Sequence, residues 1–116
     1  MYIIGDIGNT EIKICLVSDK DKIKKKINLK TKDISKKYLN NKCEYIIRNK
    51  YKINNMLFSS VVPRIYFIIK EYMEKKINIK CTELKQIDLS KYITVKVNKK
   101  QIGSDRLANA LSSIDN

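Results

Sequence analysis

Tyr2-Ile3-Ile4-Gly5-Asp6-Ile7-Gly8-Asn9-Thr10-Glu11-Ile12-Lys13-Ile14-Cys15-Leu16-Val17 opens the chain and decides how the rest is read. A short apolar run ends in a carboxylate, Gly8-Asn9-Thr10 supplies a tight turn, and a second run alternates Ile12, Ile14 and Leu16 against Glu11, Lys13 and Cys15. Period-two alternation on either side of a Gly-Asn turn predicts a β-hairpin with one face in a core. Ser18-Asp19-Lys20-Asp21 forms the next turn, and Lys22 to Lys30 reads as a third antiparallel strand.

Beyond the strands, Tyr38, Leu39, Tyr45, Ile46 and Ile47 among lysines predict an amphipathic helix that begins near Asp33-Ile34-Ser35, with Asn40-Asn41 as its weak point. Asn55 to Val62 reads as a buried strand. Pro63 then starts a helix at a position where its missing N–H does no harm, and Ile65, Phe67, Ile68, Ile69, Tyr72 and Met73 give that helix an apolar face. A strand near Ile79 to Leu84, an extended segment near Tyr92 to Val97 and a closing helix from Ser104 to Ile114 complete the reading. Three antiparallel strands followed by crossovers to parallel neighbours predict an α/β ribonuclease-H-like domain, the unit that actin and the sugar kinases use twice. Its sheet would be a five-stranded mixed one with helices on both faces.

Composition narrows the function classes. At 116 residues the chain suits one domain with a hydrophobic core, and 43% hydrophobic with 32% charged residues is a globular balance. No apolar run approaches the roughly 18 residues of a membrane span, and the first residues lack the pattern of a signal peptide. A cytoplasmic protein is expected, with no membrane partner. Cys15, Cys43 and Cys81 are far apart and the chain has no histidine, which argues against zinc and against a disulfide framework. The net charge of +13 raises the question of nucleic acid. Nearly all of that charge is lysine in a chain saturated with Lys, Ile and Asn, so coding bias accounts for it and no nucleic-acid partner is expected.

Two stretches carry chemistry. In the first, Asp6 stands where an otherwise apolar strand would not bury a carboxylate without a partner or a metal. Gly8 can adopt positive φ and admit an oxygen close to the main chain, Asn9 and Thr10 add donors, and Lys13 lies on the face of Glu11. Asp6 could hold Mg²⁺ directly or through water. These parts suit phosphoryl transfer. In the second stretch, Gln101-Ile102-Gly103-Ser104-Asp105-Arg106, Gly103 breaks an extended segment and Ser104 can cap a helix. Asp105 could accept a proton from a substrate hydroxyl, and Arg106 could hold a carboxylate through two parallel contacts.

Asp6 through Lys13, Ser59-Ser60-Val61-Val62-Pro63, and Gly103 through Ala110 resemble, in order and spacing, the motifs of type III pantothenate kinase. The resemblance spans this chain but only about the first half of a family member. It implies that residues 1–116 are the N-terminal domain of a two-domain kinase. Asp6, Ile7, Gly8, Asn9, Thr10, Glu11, Ile12 and Lys13 would form the ATP phosphate loop, with Asp6 the metal ligand. Gly103, Ser104, Asp105 and Arg106 would form the pantothenate site, with Asp105 the catalytic proton acceptor. It further implies ATP, Mg²⁺, a monovalent cation (K⁺ or NH₄⁺), a homodimer and a role in starting coenzyme A synthesis. Lys96 departs from the pattern, standing where many members carry a tyrosine in the pantothenate pocket. A second phosphate motif, the potassium ligand and the adenosine pocket would belong to the other half, so the chain alone is not expected to turn over. Two other classes fit parts of the sequence: a ribonuclease-H-type nucleic-acid-binding domain using Asp6, and a non-catalytic kinase half acting as a regulator.

Overall fold

Strands β1 (Tyr2–Ile7), β2 (Glu11–Val17) and β3 (Ile23–Lys30) form an antiparallel meander in the computed structural model, which describes residues 1–93. β4 (Asn55–Ser60) pairs parallel with the other flank of β1, and β5 (Thr82–Glu83) pairs parallel with β4. The order β3-β2-β1-β4-β5 makes a five-stranded mixed sheet with β1 at its centre, as the element order predicts.

Alternation along each strand sends residues to two faces, and both are buried. On the first face Ile3 and Ile7, Ile12, Ile14 and Leu16, and Met56 and Phe58 meet helices α1 (Lys36–Lys42), α2 (Glu44–Arg48) and α3 (Pro63–Ile77). The helices contribute Leu39, Ile46, Ile65, Ile69, Met73 and Ile77, and Cys43 adds to them from between α1 and α2. On the second face Tyr2, Ile4, Cys15, Val17 and Leu57 pack around Leu89 of helix α4 (Gln86–Ile93). Helices on both faces were expected, but the hairpin alternation suggested only one core face. Cys15 and Val17 belong to the second core instead, and Cys15 is fully buried.

Local chemistry explains most boundaries. Ser35 caps α1, its hydroxyl accepting from the Tyr38 N–H at 3.1 Å. The helix foreseen beyond Ser35 is two, broken at Cys43 rather than at Asn40-Asn41. Cys43 ends α1 and starts α2 with its backbone at φ −98° and ψ 15°. Asn40 has a use: its Oδ1 accepts from the Tyr72 hydroxyl at 2.7 Å, tying α1 to α3. Pro63 occupies the first turn of α3 as expected, and the helix stops at Asn78 in the left-handed region at φ 67°. Ile65, Ile69, Tyr72, Met73 and Ile77 are its buried stripe, whereas Phe67 is 57% exposed and does not belong to the apolar face assigned to it. β4 ends at Ser60, and Val61 beyond it is 54% exposed.

Toward the end of the described residues two expectations change. The strand foreseen near Ile79 to Leu84 shrinks to Thr82–Glu83. Tyr92 and Ile93, foreseen as extended, close α4, which the sequence reading did not anticipate. The rest of that extended segment and the helix from Ser104 to Ile114 lie outside the described residues. No helix among those described is long and apolar enough to cross a membrane.

Candidate nucleotide-phosphate site

The hairpin loop Gly8-Asn9-Thr10 sits at the end of the central strand, held from within and from one side. The Gly8 N–H donates to the Glu11 carbonyl at 2.9 Å, closing the loop. Thr31, just past β3, ties it from outside: its hydroxyl donates to the Gly8 carbonyl at 2.9 Å and its N–H donates to the Thr10 carbonyl at 3.0 Å. A trans peptide directs its N–H opposite to its carbonyl, so the Asn9 and Glu11 N–H groups turn away from Thr31. Gly8 stays outside the left-handed region, contrary to the positive φ suggested for it. A methyl group there would lie 3.0 Å from the Glu11 carbonyl oxygen, so the tight closure of the loop is what selects glycine.

Asn9 and Thr10 are exposed, and with Glu11, Lys30 and Lys32 they line a pocket of about 380 Å³. Hydroxyl and amide donors beside two ammonium groups suit a polyanion. Lys30, Thr31 and Lys32 were not singled out from the sequence. Nothing in their own stretch marks them, because they reach the loop only through the pairing of β2 with β3, where Glu11 lies opposite Lys30.

Asp6 lies opposite Lys13 on β2 and opposite Ser59 on β4. Register partners share a face, so these three side chains form a row across the central strands, continuing the second face past Ile4, Cys15 and Leu57. Asp6 is half-buried and Ser59 is buried. Lys13 shares this face with Glu11, as foreseen, and its Nζ stands 3.9 Å from Glu11 Oε2, a loose and partly exposed contact worth little by itself. Ile7 and Ile12 also fall within the motif, and their side chains point to the first core and are fully buried, which anchors the loop.

The Ser59 to Pro63 segment closes the neighbouring edge. The Val61 N–H donates to the Ile7 carbonyl at 3.0 Å, and the Ser60 hydroxyl accepts from the Val62 N–H at 2.9 Å, turning the chain into α3. The loop, the Asp6 row and this turn thus gather at the carboxyl ends of parallel β1 and β4, the edge where open α/β sheets bind ligands. Gly103, Ser104, Asp105, Arg106 and Lys96 lie outside the described residues.

Elsewhere, burial pushes the Cys15 thiol up to about 11 and the Cys43 thiol to about 12. Neither has the lowered value of a reactive cysteine.

The sequence model of the type III pantothenate kinase family matches residues 2–116. Over 116 residues the chain is 51% identical to the type III pantothenate kinase of Pelagibacter ubique, covering 100% of this chain and 47% of that protein. It is 33% identical over 119 residues to the type III pantothenate kinase of Ehrlichia canis, covering 97% of this chain and 45% of that one. The chain therefore spans about half the length of the curated relatives it matches. Among solved structures it is similar in fold to a Porphyromonas gingivalis protein described as an N-acetylglucosamine kinase. The TM-score is 0.51 at 16% identity, over 73% of this chain and 33% of that one, which places the sheet in the fold of the sugar kinases. A family match along nearly the whole sequence, on a sheet of that fold, leaves one assignment: the chain belongs to the type III pantothenate kinase family.

Proposed function

We propose that residues 1–116 are the N-terminal domain of a two-domain kinase that uses ATP to phosphorylate the primary hydroxyl of pantothenate, and that this domain grips the nucleotide phosphates. The observation that carries the reading is the convergence of the Gly8–Thr10 loop and the Asp6, Lys13, Ser59 row at the carboxyl edge of β1 and β4.

In this reading Thr10 and Asn9 donate to phosphate oxygens, and Lys13 leaves its weak contact with Glu11 to meet them as a point charge. Asp6 is the protein ligand for Mg²⁺. The donor set suits that ion, which takes one or two carboxylates and completes its shell with water and phosphate oxygens. When bound, the ion neutralises charge on the phosphates. Asp105 accepts the proton of the attacking hydroxyl, and Gly103, Ser104 and Arg106 hold pantothenate. The family resemblance also supports a monovalent cation (K⁺ or NH₄⁺), a homodimer and a cytoplasmic location. No residue of this chain is assigned to the cation.

The test is phosphopantothenate formation by the gene's full-length product, compared with its Asp105→Asn variant. Loss of the proton acceptor is expected to lower kcat by about 10²-fold or more while ATP still binds. The isolated 116 residues are expected to give no turnover. A full-length product inert toward pantothenate, or an Asp105→Asn variant as fast as the parent, refutes the reading.

A further inference from the structure

We propose that Thr31 is a positioning residue of the phosphate loop, setting the direction in which the loop presents its N–H groups to a nucleotide. The inference rests on the reading of Gly8–Thr10 as that loop. Thr31 is only 8% exposed, and its hydroxyl is engaged by the loop itself. It makes two contacts with one short loop, the hydroxyl to the Gly8 carbonyl at 2.9 Å and the N–H to the Thr10 carbonyl at 3.0 Å.

Those contacts are placed where they have electrostatic consequence. A carbonyl turned toward a phosphate would present negative charge to it, whereas a carbonyl engaged by Thr31 turns the N–H of the same peptide group, on Asn9 or Glu11, to the opposite side. Thr31 therefore fixes the direction of the dipoles of the first and last peptide groups of the loop, 8–9 and 10–11. The flanking lysines, Lys30 and Lys32, line the pocket beside Asn9 and Thr10, so one three-residue corner supplies both the tie and added positive charge. The backbone tie to Thr10 is available to any residue except proline, but the tie to Gly8 needs a side-chain donor of this length. Serine satisfies that requirement and valine, equal to threonine in shape, does not.

The experiment compares the gene's full-length product with Thr31→Val, Thr31→Ser and Thr10→Ala variants, reading the KM for ATP, the KM for pantothenate, kcat and the melting temperature of each. Loss of one hydrogen bond that orders the loop is expected to raise the ATP KM of Thr31→Val roughly three- to tenfold. Its pantothenate KM is expected to stay within about twofold of the parent, and Thr31→Ser is expected to return the ATP KM to within about twofold. An unchanged ATP KM in Thr31→Val overturns the inference. So does an equal rise in both KM values with a lowered melting temperature, the mark of a merely structural residue. Thr10→Ala separates the two levels. If it raises the ATP KM while Thr31→Val does not, the loop reading stands and the role of Thr31 falls. If neither variant moves it, the loop reading fails, and the inference with it.

Discussion

Replacing Gly5 with alanine probes the strand that carries Asp6. An ideal Cβ at Gly5 would lie 2.3 Å from Phe58 Cε1 and 2.4 Å from Cδ1, where carbons normally sit about 3.5–4.0 Å apart. The ring cannot simply retreat: Phe58 is fully buried, lies beside Gly5 in the β1–β4 register and leans on Tyr66 with ring centroids 6.3 Å apart. Strand or ring must therefore shift by more than about 1 Å inside a close-packed core, a change in the overpacking range of about 1–3 kcal/mol. For a domain of this size, about 2 kcal/mol corresponds to a fall in melting temperature of roughly 8–16 °C. The assay is thermal unfolding followed by circular dichroism for Gly5→Ala, Phe58→Val and the double variant. Valine lacks the ring atoms that the new methyl would strike, so the double variant is expected to be more stable than the two single losses sum to, by roughly 0.5–3 kcal/mol. A Gly5→Ala protein melting at the parental temperature, or strict additivity in the double variant, refutes the packing argument.

Two further outcomes rest on other parts of the fold. Ser35→Ala removes the hydroxyl that accepts from the Tyr38 N–H and is expected to cost about 1 kcal/mol, measured by urea unfolding. Stability is also expected to fall on the alkaline side. Burial raises Cys15 from 9.0 to about 11, Cys43 from 9.0 to about 12 and Tyr72 from 10.0 to about 12. A group whose folded value is raised contributes stability that is complete below its unfolded value and lost as pH climbs through the folded one. The decline should therefore begin near pH 9 and continue toward pH 12, and a melting temperature flat from pH 8 to pH 11 would contradict it.

Local patterns made the hairpin, the Pro63 start of α3 and the position of Asp6 at the sheet edge legible in the sequence, since each depends on residues close together in the chain. What escaped depends on distant pairing. Thr31 looks like an ordinary residue after a strand until the β2–β3 register brings it to Gly8. Phe67 has the hydrophobicity of a core residue but the wrong angular position on α3. Cys15 and Val17 broke the expected alternation because a second helix layer covers the face on which they lie, and no feature of β2 announces α4. The second constellation around Asp105 was read from its residues and its resemblance alone.

The central position of β1 has a consequence for how the site comes into being. Its pairing with β2 is closed by a three-residue loop, whereas its pairing with β4 must wait for the whole excursion through β3, α1 and α2. Loop-closure entropy makes the first contact fast and the second slow. The half of the site made of Gly8 to Thr10 can therefore take shape while the chain is still emerging from the ribosome. The half that brings Ser59 beside Asp6 arrives only with the crossover, so the Asp6, Lys13 and Ser59 row reports completion of the sheet and not of the hairpin.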